Sequence, residues 1–159
     1  MYTNIDGVVS SRLELEDYLK EVKPAIVCLA ETKLNEAIKL DLDNSYNLWR
    51  KDRVGKGGGG VMIMTKKEMH VNQVLYGEGK AEVISVRVEN NKKEMSVIAA
   101  YVPPRTNAWT KEDHDQMIED TLQSLSQVIK ERKRIILVGD FNCKEVDWEK
   151  YESGGGDET

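Results

Sequence analysis

Two segments of the chain are apolar without interruption, Ala25-Ile-Val-Cys-Leu-Ala30 and Ile135-Ile-Leu-Val138. Runs of that length with no polar break predict strands covered on both faces. The first stops at Glu31 and the second runs through Gly139 into Asp140. Elsewhere the pattern is periodic. Ser11-Arg-Leu-Glu14 has capping-box spacing, and Leu13, Leu15 and Leu19 follow it, which predicts a helix to about Glu21 or Val22 that Pro24 ends. Ile118, Leu122, Leu125 and Ile129 fall on one face of a second helix, predicted from about Lys111 to Arg132. Mixed runs predict strands at Tyr46–Arg50, Val61–Met64, Glu82–Glu89 and Met95–Tyr101, the last two joined by a hairpin-like turn through Glu89-Asn-Asn-Lys-Lys93. Tyr151 to Thr159 is polar and glycine-rich and reads as a flexible tail. Helix and strand, then hairpin, helix and strand, predict an α/β (α+β) layered domain with sheet at its centre.

Composition narrows the setting. A chain of 159 residues with 40% hydrophobic content can bury a core as one domain. No stretch approaches the roughly 18 to 20 apolar residues that span a membrane, so no membrane partner is expected. The first residues lack the basic, apolar and small-residue pattern of a secretory leader. Cys28 and Cys143 are too few for a disulfide framework, and Cys28 reads as a small core residue. An intracellular location, nuclear or cytoplasmic, is therefore expected. The net charge of −5 does not favour nucleic acid. Arg50, Lys51, Arg53 and Lys56 nevertheless cluster before the glycine run, and Lys66 and Lys67 follow it, as a nucleic-acid surface or an ordinary solvated face.

The chemistry gathers at the strand ends. In layered α/β sheets, ligands collect where loops leave the strands. Glu31 and Asp140 at one edge would form a hard-oxygen site suited to Mg²⁺, which takes one or two carboxylates together with water and phosphate. In Gly139-Asp140-Phe141-Asn142, glycine permits close backbone approach. Asp140 can orient or deprotonate a water, Asn142 offers an amide donor to a phosphate oxygen, and Phe141 turns into the core between them.

Four separated segments now stand in order: Thr3-Asn-Ile-Asp-Gly7, Ala30-Glu-Thr-Lys-Leu34, Tyr101-Val-Pro-Pro104 and Gly139-Asp-Phe-Asn142. In that order the chain resembles the endonuclease/exonuclease/phosphatase superfamily, the fold of DNase I-like nucleases and apurinic endonucleases. The Glu-Thr-Lys-Leu and Tyr-Val-Pro-Pro wording is similar to the endonuclease domains of non-LTR (LINE-type) retrotransposon polyproteins. The resemblance implies a DNase I-like four-layer α/β sandwich over residues 1–159. It implies a metal-dependent endonuclease that nicks target DNA, with Mg²⁺ as cofactor and Mn²⁺ as a substitute. It also implies a reverse transcriptase in the same polyprotein and no organic cofactor. Glu31 would be the main metal ligand, and Asn4 would help to hold the metal or a phosphate oxygen. Asp6 would stand behind them, and Tyr101 would place its phenol near the scissile phosphate. Asp140 would align the attacking water and Asn142 would stabilise the transition state.

The family's pattern also includes a later Asp and a C-terminal Asp-His pair, which neither His70 nor His114 matches. The chain is therefore expected to hold the N-terminal part of the fold and to be weakly active or inactive by itself. Phosphatase or RNA nuclease chemistry on the same fold, or a non-catalytic relic, are the alternatives. His70 reads as part of a basic segment after a strand, and His114, in Asp113-His-Asp115, as an exposed residue at a helix start. Gly55-Lys-Gly-Gly-Gly-Gly60 fits G-x-G-x-x-G in spelling, but it precedes a strand and is not followed by a helix, so it predicts a flexible turn. Met62 and Met64 alternate as packing residues, and Trp109 either packs or stacks on a base.

Overall fold

The computed structural model describes residues 1–130 and 134–143. The predicted tail and the far end of the second helix lie outside the described residues. The chain runs β1 (Tyr2–Asn4), α1 (Arg12–Val22), β2 (Ile26–Ala30), β3 (Tyr46–Lys51), β4 (Val61–Lys66), β5 (His70–Tyr76), β6 (Glu82–Asn90), β7 (Lys93–Tyr101), α2 (Lys111–Lys130) and β8 (Ile135–Asp140). One four-stranded sheet has the order β1-β2-β4-β3 and the other β5-β6-β7-β8. Among the described residues no helix is long and apolar enough to cross a membrane.

The alternation along β2 explains the layering. Val27 and Leu29 point into a cluster with Leu15 and Leu19 of α1, while Cys28 and Ala30 point into one with Ile84, Val86, Val97 and Ala99 of the other sheet. A third cluster sets Leu125 and Val128 of α2 against Ala81, Val83, Ile98 and Ala100. Helix, sheet, sheet and helix therefore stack in four layers, the DNase I-like sandwich. Each fully buried Leu, Ile or Met contributes about 1.5–3 kcal/mol by leaving water. Met62 and Met64 pack as predicted on the α1 side.

Several expectations are corrected. Ser11 makes no side-chain cap. A turn leads straight into α1, so the Ser11 hydroxyl donates instead to the Ile5 carbonyl at 3.4 Å. At the other end Lys23 takes a left-handed conformation (φ 51°), its N–H bonds Leu19, and Pro24 follows. Leu13 is exposed. On α2, Leu122 and Ile129 are exposed; the buried stripe is His114, Met117, Thr121, Ser124, Leu125 and Val128. Hydrophobicity alone selects the wrong face because the polar members of this stripe find partners. The Thr121 hydroxyl donates to Met117 O at 2.7 Å and the Ser124 hydroxyl accepts from Glu78 N–H at 3.2 Å. His114 is buried, its Nε2 2.9 Å from Pro103 O. His70 opens β5, a strand the sequence pattern does not predict, and neither is three-residue β1. The β6–β7 turn narrows to Asn91-Lys92, both at positive φ (49° and 62°), as a tight hairpin of two right-twisted strands requires.

Candidate active site

Parallel pairing sets up the site. β1 and β2 run side by side with Asn4 opposite Ala30, so Asn4 and Glu31 leave the first sheet together. β7 and β8 are also parallel, with Tyr101 opposite Asp140, so these two leave the second sheet together. The two edges meet at Asn4, whose Nδ2 donates to Glu31 Oε2 at 3.0 Å and to Asp140 Oδ2 at 3.2 Å. On its other side, Asn4 Oδ1 accepts the N–H of Asp6 at 3.1 Å. That bond fixes which way the amide faces, because only oxygen can accept from a backbone N–H. Asn4 is thus a bridge between two carboxylates, with its oxygen turned away from them.

The loops are held by their backbones. Gly7 and Val8 donate to Glu31 O and Thr32 O at 2.9 and 3.0 Å, and Thr32 and Lys33 donate to Gly60 O and Gly59 O at 3.3 and 2.8 Å. Glu31 itself stands at φ 56°, a conformation that a non-glycine residue adopts at a cost of about 1–3 kcal/mol. The glycine run, expected to be a flexible turn, is held at its end through Gly59 and Gly60. Glu82 accepts the N–H of Gly60, and a Cβ on Gly60 would come within 2.5 Å of Thr32 Oγ1. Gly139 also has no room for a side chain, since a Cβ there would meet Ala100 O at 2.3 Å. Phe141 packs against the α2 core cluster, as expected. Asn142, at φ 44°, donates from its backbone to Asp140 Oδ1 at 3.3 Å and from its side chain to Val102 O at 2.9 Å. Its amide braces the Tyr101–Val102 backbone beside Asp140.

Tyr101 is buried, and its phenol pKa is pushed up to about 12, first by burial and then by Glu31, with Arg53 opposing and Asp140 and Glu82 adding. At neutral pH the ring carries a neutral O–H donor. The Asp6 carboxylate, largely exposed, pairs with Lys33 and meets the site only through its backbone N–H. Sequence reasoning leaves out the pair around Tyr101. Glu82, opposite Tyr101 in the β6–β7 ladder, is almost fully buried and receives Arg53 Nε and Nη2 at 3.2 and 2.9 Å. The Arg53 guanidinium lies 5.8 Å from the centre of the Tyr101 ring. The available clue was a charged residue next to the apolar pair Val83-Ile84 at the start of a strand. Cys28 is buried with its thiol pushed up to about 11 by burial, which fits a packing role.

No group of three or more His, Cys, Asp or Glu forms a metal cluster among the described residues. The Glu31 and Asp140 carboxylates joined through Asn4 do form an all-oxygen donor pair on one edge. That donor chemistry fits a hard cation that keeps most of its coordination for water and phosphate.

The sequence pattern of the Endonuclease/Exonuclease/phosphatase family matches residues 1–156. The chain is 30% identical over 155 residues to an exodeoxyribonuclease of Bacillus subtilis (strain 168), covering 91% of this chain and 59% of that protein. An AP endonuclease from Archaeoglobus fulgidus superimposes with a TM-score of 0.67 at 25% identity, over 89% of this chain and 56% of that one. The endonuclease domain of TRAS1, a telomere-specific non-LTR retrotransposon, gives 0.65 at 19% identity, over 90% and 59% respectively, a likeness of fold. The chain thus spans 56–59% of the length of these three proteins.

Proposed function

Because the chain belongs to the endonuclease/exonuclease/phosphatase family, we propose that it supplies the reacting centre of a metal-dependent DNA phosphodiesterase that cuts within a strand. The observation that carries this reading is the convergence of Glu31 and Asp140 on the single amide of Asn4, from two sheets, beside a protonated Tyr101. Glu31, steadied by Asn4, would hold Mg²⁺. When bound, that cation neutralises charge on the phosphate as the bond to the leaving oxygen lengthens. Asp140 aligns a water and accepts its proton, so that the water oxygen attacks phosphorus in line while the leaving oxygen departs with its bonding pair and takes a proton from solvent. Tyr101 donates its O–H to a non-bridging oxygen. One hydrogen of the Asn142 amide is committed to Val102, and the other is left for the same phosphate. The role in a retrotransposon rests on sequence wording and on a fold likeness.

Conversion of supercoiled plasmid to nicked circle, by protein expressed from the complete reading frame that encodes this chain, is the direct test. Cleavage should need Mg²⁺ and stop in EDTA. Asp140→Ala and Glu31→Ala should each lower the rate about 10³-fold or more, the scale of losing one aligned acid-base or charge-stabilising group. Wild-type rates in either variant would refute the assignment. A second reading, stepwise removal of nucleotides from a DNA end, is favoured by the exodeoxyribonuclease relative. It predicts shortening of a linear end-labelled duplex and an intact closed circle.

A further inference from the structure

A pocket of about 310 Å³ lies beside the reacting centre, between the β3–β4 loop, the loop before β6 and the start of α2. Four cations line it, Lys51, Arg53, Lys56 and Lys80, with Trp109 as one wall. The carboxylates that share this wall are already matched. Glu82 takes Arg53 at 2.9 Å and Asp113 takes Lys80 at 2.7 Å. Asp52 takes Arg50 at 2.8 Å from outside the pocket lining. Lys51 and Lys56 are left without a carboxylate partner among the described residues, and each sets its ammonium on a backbone carbonyl, Gly77 O and Ala108 O respectively. Burial lowers the Lys51 pKa, with Glu82, Asp120 and Glu78 opposing.

Aromatic contacts tie the pocket to the site. The Trp109 ring has Lys56 Nζ at 4.2 Å and the Arg53 guanidinium at 5.1 Å, and the same guanidinium lies 5.8 Å from the Tyr101 ring. Cations held over an indole face keep a fixed direction. Two lysines of one pocket lining, neither in a direct ion pair, suit an anion that presents several acceptor oxygens. The lining sets its four cations against three carboxylates, Asp52, Glu82 and Asp113, in a chain of net charge −5.

We propose that this pocket binds a backbone phosphate of the substrate strand, adjacent to the phosphate being cut, with Lys51 and Lys56 as its ligands and Trp109 holding Lys56 in place. The proposal rests on the DNA phosphodiesterase reading and adds to it a second point of attachment. Two fixed phosphates define the path of the strand across Tyr101, whereas one leaves it free to pivot.

Fluorescence anisotropy of a labelled 12-nucleotide DNA, with Ca²⁺ replacing Mg²⁺ to suppress cutting, tests it across a salt series. Lys56→Ala and Lys51→Met should each weaken binding roughly 5- to 10-fold, and together they should make the slope of log K against log salt shallower by about 0.7, one phosphate contact on a single strand. Trp109→Ala should weaken binding by a similar factor and Trp109→Phe should restore most of it. Lys93→Ala, at the opposite end of β7, is the control and should match wild type. Lys51 and Lys56 variants with wild-type affinity and slope, alongside an Asp140→Ala variant that no longer cuts, would overturn the pocket and leave the phosphodiesterase reading standing. A wild type that neither binds nor cuts DNA would overturn both.

Discussion

A single side-chain amide decides the chemistry of the edge. Asn4 has its oxygen occupied by the Asp6 N–H and its nitrogen shared by two carboxylates. Asn4→Ala should therefore release Glu31 and Asp140 from their common orientation and lower DNA cleavage about 10- to 100-fold, as loss of a group that orients metal ligands does. Asp6→Asn keeps both the N–H and a side chain tolerant of φ 49°, and gives up only an exposed ion pair worth about 0–1 kcal/mol, so its cleavage rate should stay close to wild type. Tyr101 offers a pH signature. Its folded pKa of about 12 lies above the ordinary value of 10.0, so the folded state retains a proton that the unfolded chain gives up between them. Stability from this group is complete below pH 10 and declines as pH rises towards about 12, and absorbance titration of the folded protein should show one phenol ionising near the upper limit. Glu31, Asp140 and Asn142 drew notice because they follow unbroken apolar runs, whereas Asn4 and Tyr101 were named through the family resemblance; the structure joins Asn4 to Glu31 and Asp140. Arg53 and Glu82 were not legible in the sequence, since their meaning comes from pairing across 29 residues.

At the scale of elements, unbroken apolar runs marked strands in both β2 and β8, but only β2 is covered on both faces, since Ile136 and Leu137 of β8 are exposed. β5 was not marked, because its alternation of half-buried and exposed positions mixes His70, Asn72 and Gln73 with Val71 and Val74. α2 was legible in extent and misread in orientation, since hydroxyl groups with local acceptors can be buried without appearing apolar. β8 carries the most sensitive position. Gly139 lies against Ala100 O in the parallel β7–β8 ladder, and a methyl group there would force the strands apart. Gly139→Ala should cost about 1–3 kcal/mol by overpacking, measured by denaturant unfolding. It should also lower cleavage beyond what the stability loss explains, because Asp140 is the next residue. Equal stability and equal cleavage would contradict that packing.

Among the described residues, the two sheets are joined by apolar packing, by the Asn4–Asp140 bond and by a buried ion pair. Arg53 follows β3 of the first sheet, and Glu82 opens β6 of the second, where it also accepts the N–H of Gly60. Burial raises the Glu82 pKa in spite of Arg53, so the pair is costly to form and costlier to break. Glu82→Ala would leave a desolvated guanidinium and an unpaired N–H, and should destabilise the fold by about 3–5 kcal/mol in urea or guanidinium titrations. A loss below about 1 kcal/mol would mean that Arg53 finds water. Sheet joining also has a consequence in time. Asn4 and Asp140, bonded through one amide, are 136 residues apart. At about 5–20 residues per second, a ribosome takes roughly 7 to 27 s to deliver the second after the first. Throughout that interval the nascent chain holds Asn4 and Glu31 without Asp140, so the pair of carboxylates exists only once the second sheet has packed on the first.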